Sequence, residues 1–260
     1  MKIGQWLLEG APIYEEKSQA LDAEWLGRDH SITAWPDPTA DVVHVYGPRK
    51  LAARCFRKFP RPYVAAGAPP ARGIWFSTPR PPAGDASPPR IPEAVDPRYV
   101  RDKDRRPETA RYEIGVLGGR RDVRPIVEVT ASRLARFRDD VHWRMVDDRP
   151  SPEDLAAIDV WVDPAIVDDD RDGFGAEAIS AGVLVVASRT PINLERLEGG
   201  RAGFLVPPND PNELTHAILT ALFKPEMAEP KRHAARNARA RFDPARRRDA
   251  LVGLYREVLG

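Results

Sequence analysis

Apolar residues in this chain fall into short unbroken runs, separated by polar stretches whose apolar positions recur at helical spacing. Met1 to Leu8, Asp41 to Gly47, Tyr63 to Ala66, Gly73 to Ser77, Tyr112 to Leu117, Val141 to Val146, Asp159 to Val162 and Val183 to Ala187 read as strands. Runs such as Val183-Leu-Val-Val-Ala187 have no polar face, as strands buried on both sides of a parallel sheet require. Between them, Ser18–Leu26, Leu51–Phe59, Pro125–Phe137, Pro152–Ile158 and Pro244–Leu259 read as helices. Asp210-Pro-Asn-Glu213 predicts a helix start, with Asp210 as N-cap and Glu213 closing a capping box before the Leu214, Ile218, Leu222 stripe. Strands alternating with helices at this spacing predict an α/β protein with parallel sheets covered on both faces.

Composition sharpens the organisation. Six prolines between Pro79 and Pro92 break any regular element there and mark a linker. Basic and acidic residues number 40 and 39, so no overall field points to nucleic acid. The single cysteine, Cys55, has no partner for an internal disulfide, which fits a reducing cytoplasm. The opening apolar run is too short for a leader or a membrane span and reads as a first buried strand. Lys231 to Arg248 holds eight basic residues against Asp243, which reads as a polar helical surface. A peripheral contact with an anionic membrane is the alternative use of that run.

Ligands of open parallel sheets bind where strands end and helices begin. The first such place follows Leu117, where Gly118 and Gly119 allow close backbone approach and Arg120 and Arg124 offer charge to a diphosphate. A glycine turn with solvated arginines is the plainer alternative. The second is the acidic loop from Asp168 to Gly175, followed by a short helix from Ala176 with Glu177 in its first turn. Glu177 suits either a pair of ribose hydroxyls or simple stabilisation of the helix start. The aspartates of that loop lack the spacing of a calcium loop and read as solvated. His44, inside an apolar strand, reads as a core histidine or as an acceptor-site group.

These residues resemble a known family. Glu177-Ala-Ile-Ser-Ala-Gly-Val-Leu-Val-Val-Ala-Ser188 and Gly203-Phe-Leu-Val-Pro-Pro-Asn-Asp-Pro211 are similar to the donor-sugar domain of retaining GT-B glycosyltransferases of the family 4 type. The connector Arg189 to Val206 matches that family in length and puts Glu195 on its Pro-Glu position. Arg90-Ile-Pro-Glu-Ala-Val-Asp96 resembles the entry to the second domain, and Phe242 to Leu259 the terminal helix. The family places a carboxylate eight residues before the second Glu. Counting back from Glu177 makes that residue Asp169, whereas aligning on Gly173-Phe174-Gly175 makes it Asp172 and puts Ser180 on the second Glu. Three family residues are missing between Gly175 and Glu177, and the family's glycine pair is Pro191-Ile192 here.

The resemblance implies two Rossmann-like parallel-sheet domains in a GT-B-like arrangement. They would be a reduced acceptor-side domain over 1–92 and a nucleotide-sugar-binding domain over 93–240, with helix 241–260 packing back on the first. It implies transfer of a sugar from a nucleoside-diphosphate sugar to an acceptor, with retention and without metal or other cofactor. The implied catalytic residues are Asp172, Glu177 and His44. The implied donor-binding residues are Gly118, Gly119, Arg120, Arg124, Asp169, Gly173, Phe174, Gly175, Glu177 and Glu195. The short first domain and the altered loop equally suit a GT-B-derived binding or scaffold protein without activity. A subunit whose acceptor domain comes from another chain is a third reading.

Overall fold

The structure, a computed structural model, describes residues 1–7, 13–34, 39–46, 63–66, 74–76, 91, 93–100, 111–118, 123–146, 150–165 and 174–259. The expected helix Leu51–Phe59, Cys55, all but Ile91 of the Pro79–Pro92 linker, and Gly119, Arg120, Asp169, Asp172 and Gly173 lie outside these residues. The chain divides into two compact units, Met1–Ala94 with Arg241–Gly260, and Val95–Ala240.

In the first unit five parallel strands, β1 (Lys2–Leu7), β2 (Ser31–Ala34), β3 (Val42–Tyr46), β4 (Tyr63–Ala66) and β5 (Ile74–Phe76), lie in the order β2-β1-β3-β4-β5. All five residues of β3 are buried, as its unbroken apolar run requires. Helix α1 spans Ile13–Leu26, beginning five residues before the expected Ser18. Strand β2 is half exposed at the sheet edge, and Ser-Ile-Thr-Ala has too few apolar residues to announce it. The terminal helix, Pro244–Leu259, packs against α1, β3 and β4. Its Leu251, Leu254 and Tyr255 close a core with Ile3, Leu26, Val42 and Ile91.

The second unit repeats the topology. Strands β6 (Tyr112–Leu117), β7 (Val141–Val146), β8 (Val160–Asp163), β9 (Leu184–Ser188) and β10 (Phe204–Val206) run parallel in the order β10-β9-β8-β6-β7. Helix α2 (Arg124–Leu134) follows β6, and α3 (Pro152–Ala157) follows β7. Helix α3 opens on a full capping box, with Ser151 Oγ accepting from Asp154 N and Asp154 Oδ2 accepting from Ser151 N. Helices α4 (Phe174–Ser180) and α5 (Pro191–Arg196) follow β8 and β9. Helix α6 (Pro211–Phe223) starts at Asp210 as expected, its carboxylate accepting from the amides of Asn212 and Glu213. Helix α7 (Pro225–Ala238) takes in the first part of the Lys231–Arg248 run, read from the sequence as a polar helical surface, and begins six residues before it; the terminal helix is α8. The buried face of α7 is Ala228, Ala235 and Ala238, small residues that allow close approach but show no apolar stripe. Gly115 in β6 faces Ile158 and Trp161 so closely that an added Cβ would lie 2.4 Å from Ile158 Cδ1.

Candidate functional site at the carboxyl end of the second sheet

In chain order the second sheet reads 2-1-3-4-5, so the strand order reverses between β6 and β8. A crevice opens at such a switch point because helices leave the two strands toward opposite faces. Here a small cavity of about 10 Å³, room for one water, lies between Val116, Leu117 and Val123 on one side and Trp161 to Pro164 and Phe174 on the other. Among the described residues Asp163 is its one charged lining residue.

Around the ends of β8 and β9 the chain buries polar side chains that a pure core would exclude: Asp163, Glu177, Ser188, Thr190, Asn193 and Arg196. Glu177, on α4, is 0% exposed. Thr190 caps α5, its hydroxyl accepting from Asn193 N at 3.4 Å. The Asn193 side-chain amide donates to Asp163 Oδ2 at 3.1 Å and to the Ser188 carbonyl at 3.2 Å. Helices α4 and α5 pack together, and a Cβ at Gly175 would lie 3.7 Å from Arg196 Cδ. Buried polar groups at strand ends mark the part of the unit built for something other than packing.

Of the expected site residues, Phe174, Gly175 and Glu177 lie on α4 and Glu195 on α5, and these two helices pack together. The helix includes Phe174 and Gly175 ahead of the expected start at Ala176, and Phe174 lines the cavity. Phe174 and Gly175 are therefore helical instead of a free loop. Gly118 does not offer its amide to a ligand: its N–H donates to the Val146 carbonyl at 2.7 Å and extends the sheet ladder. Arg124 opens α2 in solvent, with Nε on Glu128 Oε1 at 2.9 Å. Glu195 is half-buried on α5. Asp163, Asn193, Thr190 and Arg196 were not singled out from the sequence. Their signal was positional, at the ends of strands already recognised.

His44 belongs to the first unit and is 0% exposed. Its Nδ1 lies 2.7 Å from the Tyr255 hydroxyl and 3.0 Å from that of Tyr46. Burial, reinforced by the positive charge of Arg247, pushes its pKa well down, so the ring is neutral. Tyr46 donates to Asp22 Oδ2 at 3.0 Å, and Asp22 holds Arg247 through bonds of 2.6 and 2.8 Å. Burial first, and then the Asp22 carboxylate, raises Tyr255 well above its ordinary pKa. Of the two readings of His44, core histidine or acceptor-site group, the full burial of its ring against Tyr46 and Tyr255 fits the first.

The basic run does not form one solvated face. Lys231 Nζ donates to the Gly200 carbonyl and lies over the Phe204 ring, while Arg247 is buried. Among the described residues no helix is long and apolar enough to cross a membrane. None of them forms a group of three or more His, Cys, Asp or Glu side chains able to hold a metal ion.

Two parallel α/β units of this strand order define an α/β protein of the GT-B type. Residues 101–223 match the family described as Glycosyl transferases group 1. None of the curated proteins matches the chain. Among solved structures, sucrose-phosphate synthase from Thermosynechococcus elongatus aligns with a TM-score of 0.72 at 13% identity, over 99% of this chain and 98% of that one. A glycosyltransferase from Rickettsia africae aligns with a TM-score of 0.67 at 10% identity, over 99% and 98%. HepE from Anabaena, in complex with UDP and glucose, aligns with a TM-score of 0.67 at 12% identity, over 97% and 98%. At such identities these likenesses establish the fold.

Proposed function

We propose that this protein is a glycosyltransferase that takes a sugar from a nucleoside-diphosphate sugar, with the donor held by the second unit. The observation that supports it best is the wholly buried Glu177 on α4, which packs against the Glu195-bearing α5, within the segment that matches the glycosyltransferase family. The complexes of HepE with UDP and UDP-glucose support the donor class by analogy of fold.

In this reading Glu177 accepts from two ribose hydroxyls, and Glu195 with the Gly173–Gly175 segment holds the sugar and phosphate region. Arg120 and Arg124 neutralise the diphosphate as its bond to the anomeric carbon breaks and the acceptor oxygen bonds to that carbon. Arg124 must leave Glu128 to do so. An exposed i, i+4 pair of this kind is worth only about 0.2–0.5 kcal/mol and is readily exchanged. Glu177 is wholly covered, so a ribose reaches it only after its present neighbours give way. Retention, and catalysis without a metal, are part of the proposal; the acceptor is unassigned.

A binding protein of the same fold without transferase activity is the second reading. It is favoured by the occupied Gly118 amide and by Pro191-Ile192 in place of a glycine pair, which removes one backbone donor outright. Incubation with UDP-glucose, GDP-mannose and related donors, with nucleotide release measured, separates the two. Release under turnover supports the transferase, and binding without release supports the second reading. Absence of both overturns the donor site.

A further inference from the structure

Helix α5 is only six residues long and carries Glu195, so little of its own packing can hold it in place. Buried Ile192 supplies apolar anchorage, and the polar anchorage comes from Asn193. Asn193 is 2% exposed and uses both protons of its side-chain amide, one on Asp163 Oδ2 at the end of β8 and one on the Ser188 carbonyl at the end of β9. Its backbone N–H goes to the Thr190 hydroxyl, and Leu194 N donates to the Thr190 carbonyl at 2.8 Å. Asp163 is itself 7% exposed, so the bond to Asn193 also serves a carboxylate that burial would otherwise penalise. Three residues on from Asn193, and so on the same face of the helix, the Arg196 stem lies near Gly175 of α4.

We propose that Asn193 is a positioning residue of the donor site, its side chain tying the turn before Glu195 to Asp163 and Ser188 so that Glu195 is already in register when a nucleotide sugar arrives. Where the resembled family has flexible glycines, this chain has proline and isoleucine followed by an asparagine clamp. Mobility is removed at folding instead of at binding. The clamp acts on binding through Glu195 and touches no ligand itself. The inference rests on the donor-site reading above.

The test is a double-mutant cycle read by calorimetry with UDP-glucose and GDP-mannose, on folded protein checked by thermal melting. Asn193→Ala is expected to weaken whichever donor binds by roughly tenfold. In a Glu195→Gln background the same substitution costs nothing further, because the residue it positions has lost its function. Asp163→Ala, which removes the other end of the clamp, reproduces the effect and stands in if Asn193→Ala does not fold. An equal loss in both backgrounds means a merely structural asparagine and overturns the proposal, as does unchanged affinity. If the unmodified protein binds neither donor, the donor-site reading itself fails and takes this one with it.

Discussion

The most demanding prediction concerns Arg247, which joins α8 to α1 within the first unit. Its guanidinium meets Asp22 of α1 through two bonds of 2.6 and 2.8 Å, with the two side chains 4% and 3% exposed. Tyr46 of β3 adds a third bond to the same carboxylate, and Gln5 of β1 donates to the Tyr46 hydroxyl at 3.2 Å. In Arg247→Ala the Asp22 carboxylate stays buried with the Tyr46 hydroxyl but without its cation. Breaking one side of a buried pair costs about 3–5 kcal/mol, most of it the penalty of the abandoned charge. With a urea m-value of about 2 kcal/mol/M, that lowers the unfolding midpoint of the first unit by roughly 2 M. Urea titration should show the shift in the transition that carries the first unit, with the second unit unaffected. Asp22→Leu with Arg247→Met should recover most of the loss, since replacing both partners leaves no buried charge. A shift below about 0.5 M in Arg247→Ala would refute the reasoning, because it would mean that water reaches Asp22 and screens it.

Three further outcomes follow from the same structure. His44 is held neutral by burial, so the unfolded chain binds a proton that the folded one refuses; stability is full above the ordinary histidine pKa of about 6.5 and falls below it, by up to about 1.4 kcal/mol per pH unit. His44→Gln should flatten that slope in urea titrations between pH 7 and 5, and an unchanged slope would assign it to other groups. Gly115→Ala should destabilise the second unit by about 1–3 kcal/mol, since its Cβ would press on Ile158 and Trp161, and a neutral thermal melt would count against that packing. Ser151→Ala removes half of a reciprocal cap and should cost about 1 kcal/mol, readable as a lowered melting temperature.

The central strands of both sheets were legible because a parallel strand buried on both faces is mostly apolar, as β3 and β9 are apart from His44 and Ser188. The start of α6 was legible because its cap is local chemistry, complete within four residues. Strand β2 escaped notice, and helix α7 showed only through the polar surface of its second half. The first pairs at an edge with little to bury, and the second buries alanines that carry almost no hydrophobic signal. Helix α5 was hidden in what reads as a connector, since one turn and a half of helix leaves no period to count. The site was half legible. Glu177 stood out through its place at a helix start, but Asp163 and Asn193 are thirty positions apart, and only the fold brings the two together. Gly118 and His44 show the limit from the other side. Each has the residue type a site needs, yet one spends its amide on a strand neighbour and the other its ring on two tyrosines.

The central claim is that the second unit holds a nucleoside diphosphate through Glu177, and calorimetric titration of UDP and GDP into the protein and into Glu177→Gln tests it most directly. The substitution keeps the size of the side chain while removing the charge that would accept from two ribose hydroxyls. Measurable binding by the unmodified protein, weakened at least tenfold in Glu177→Gln, is the predicted result; hydrogen bonds to a charged group are worth about 1.5–3 kcal/mol. Equal affinity in both proteins would contradict the assignment and leave Glu177 a buried helix residue.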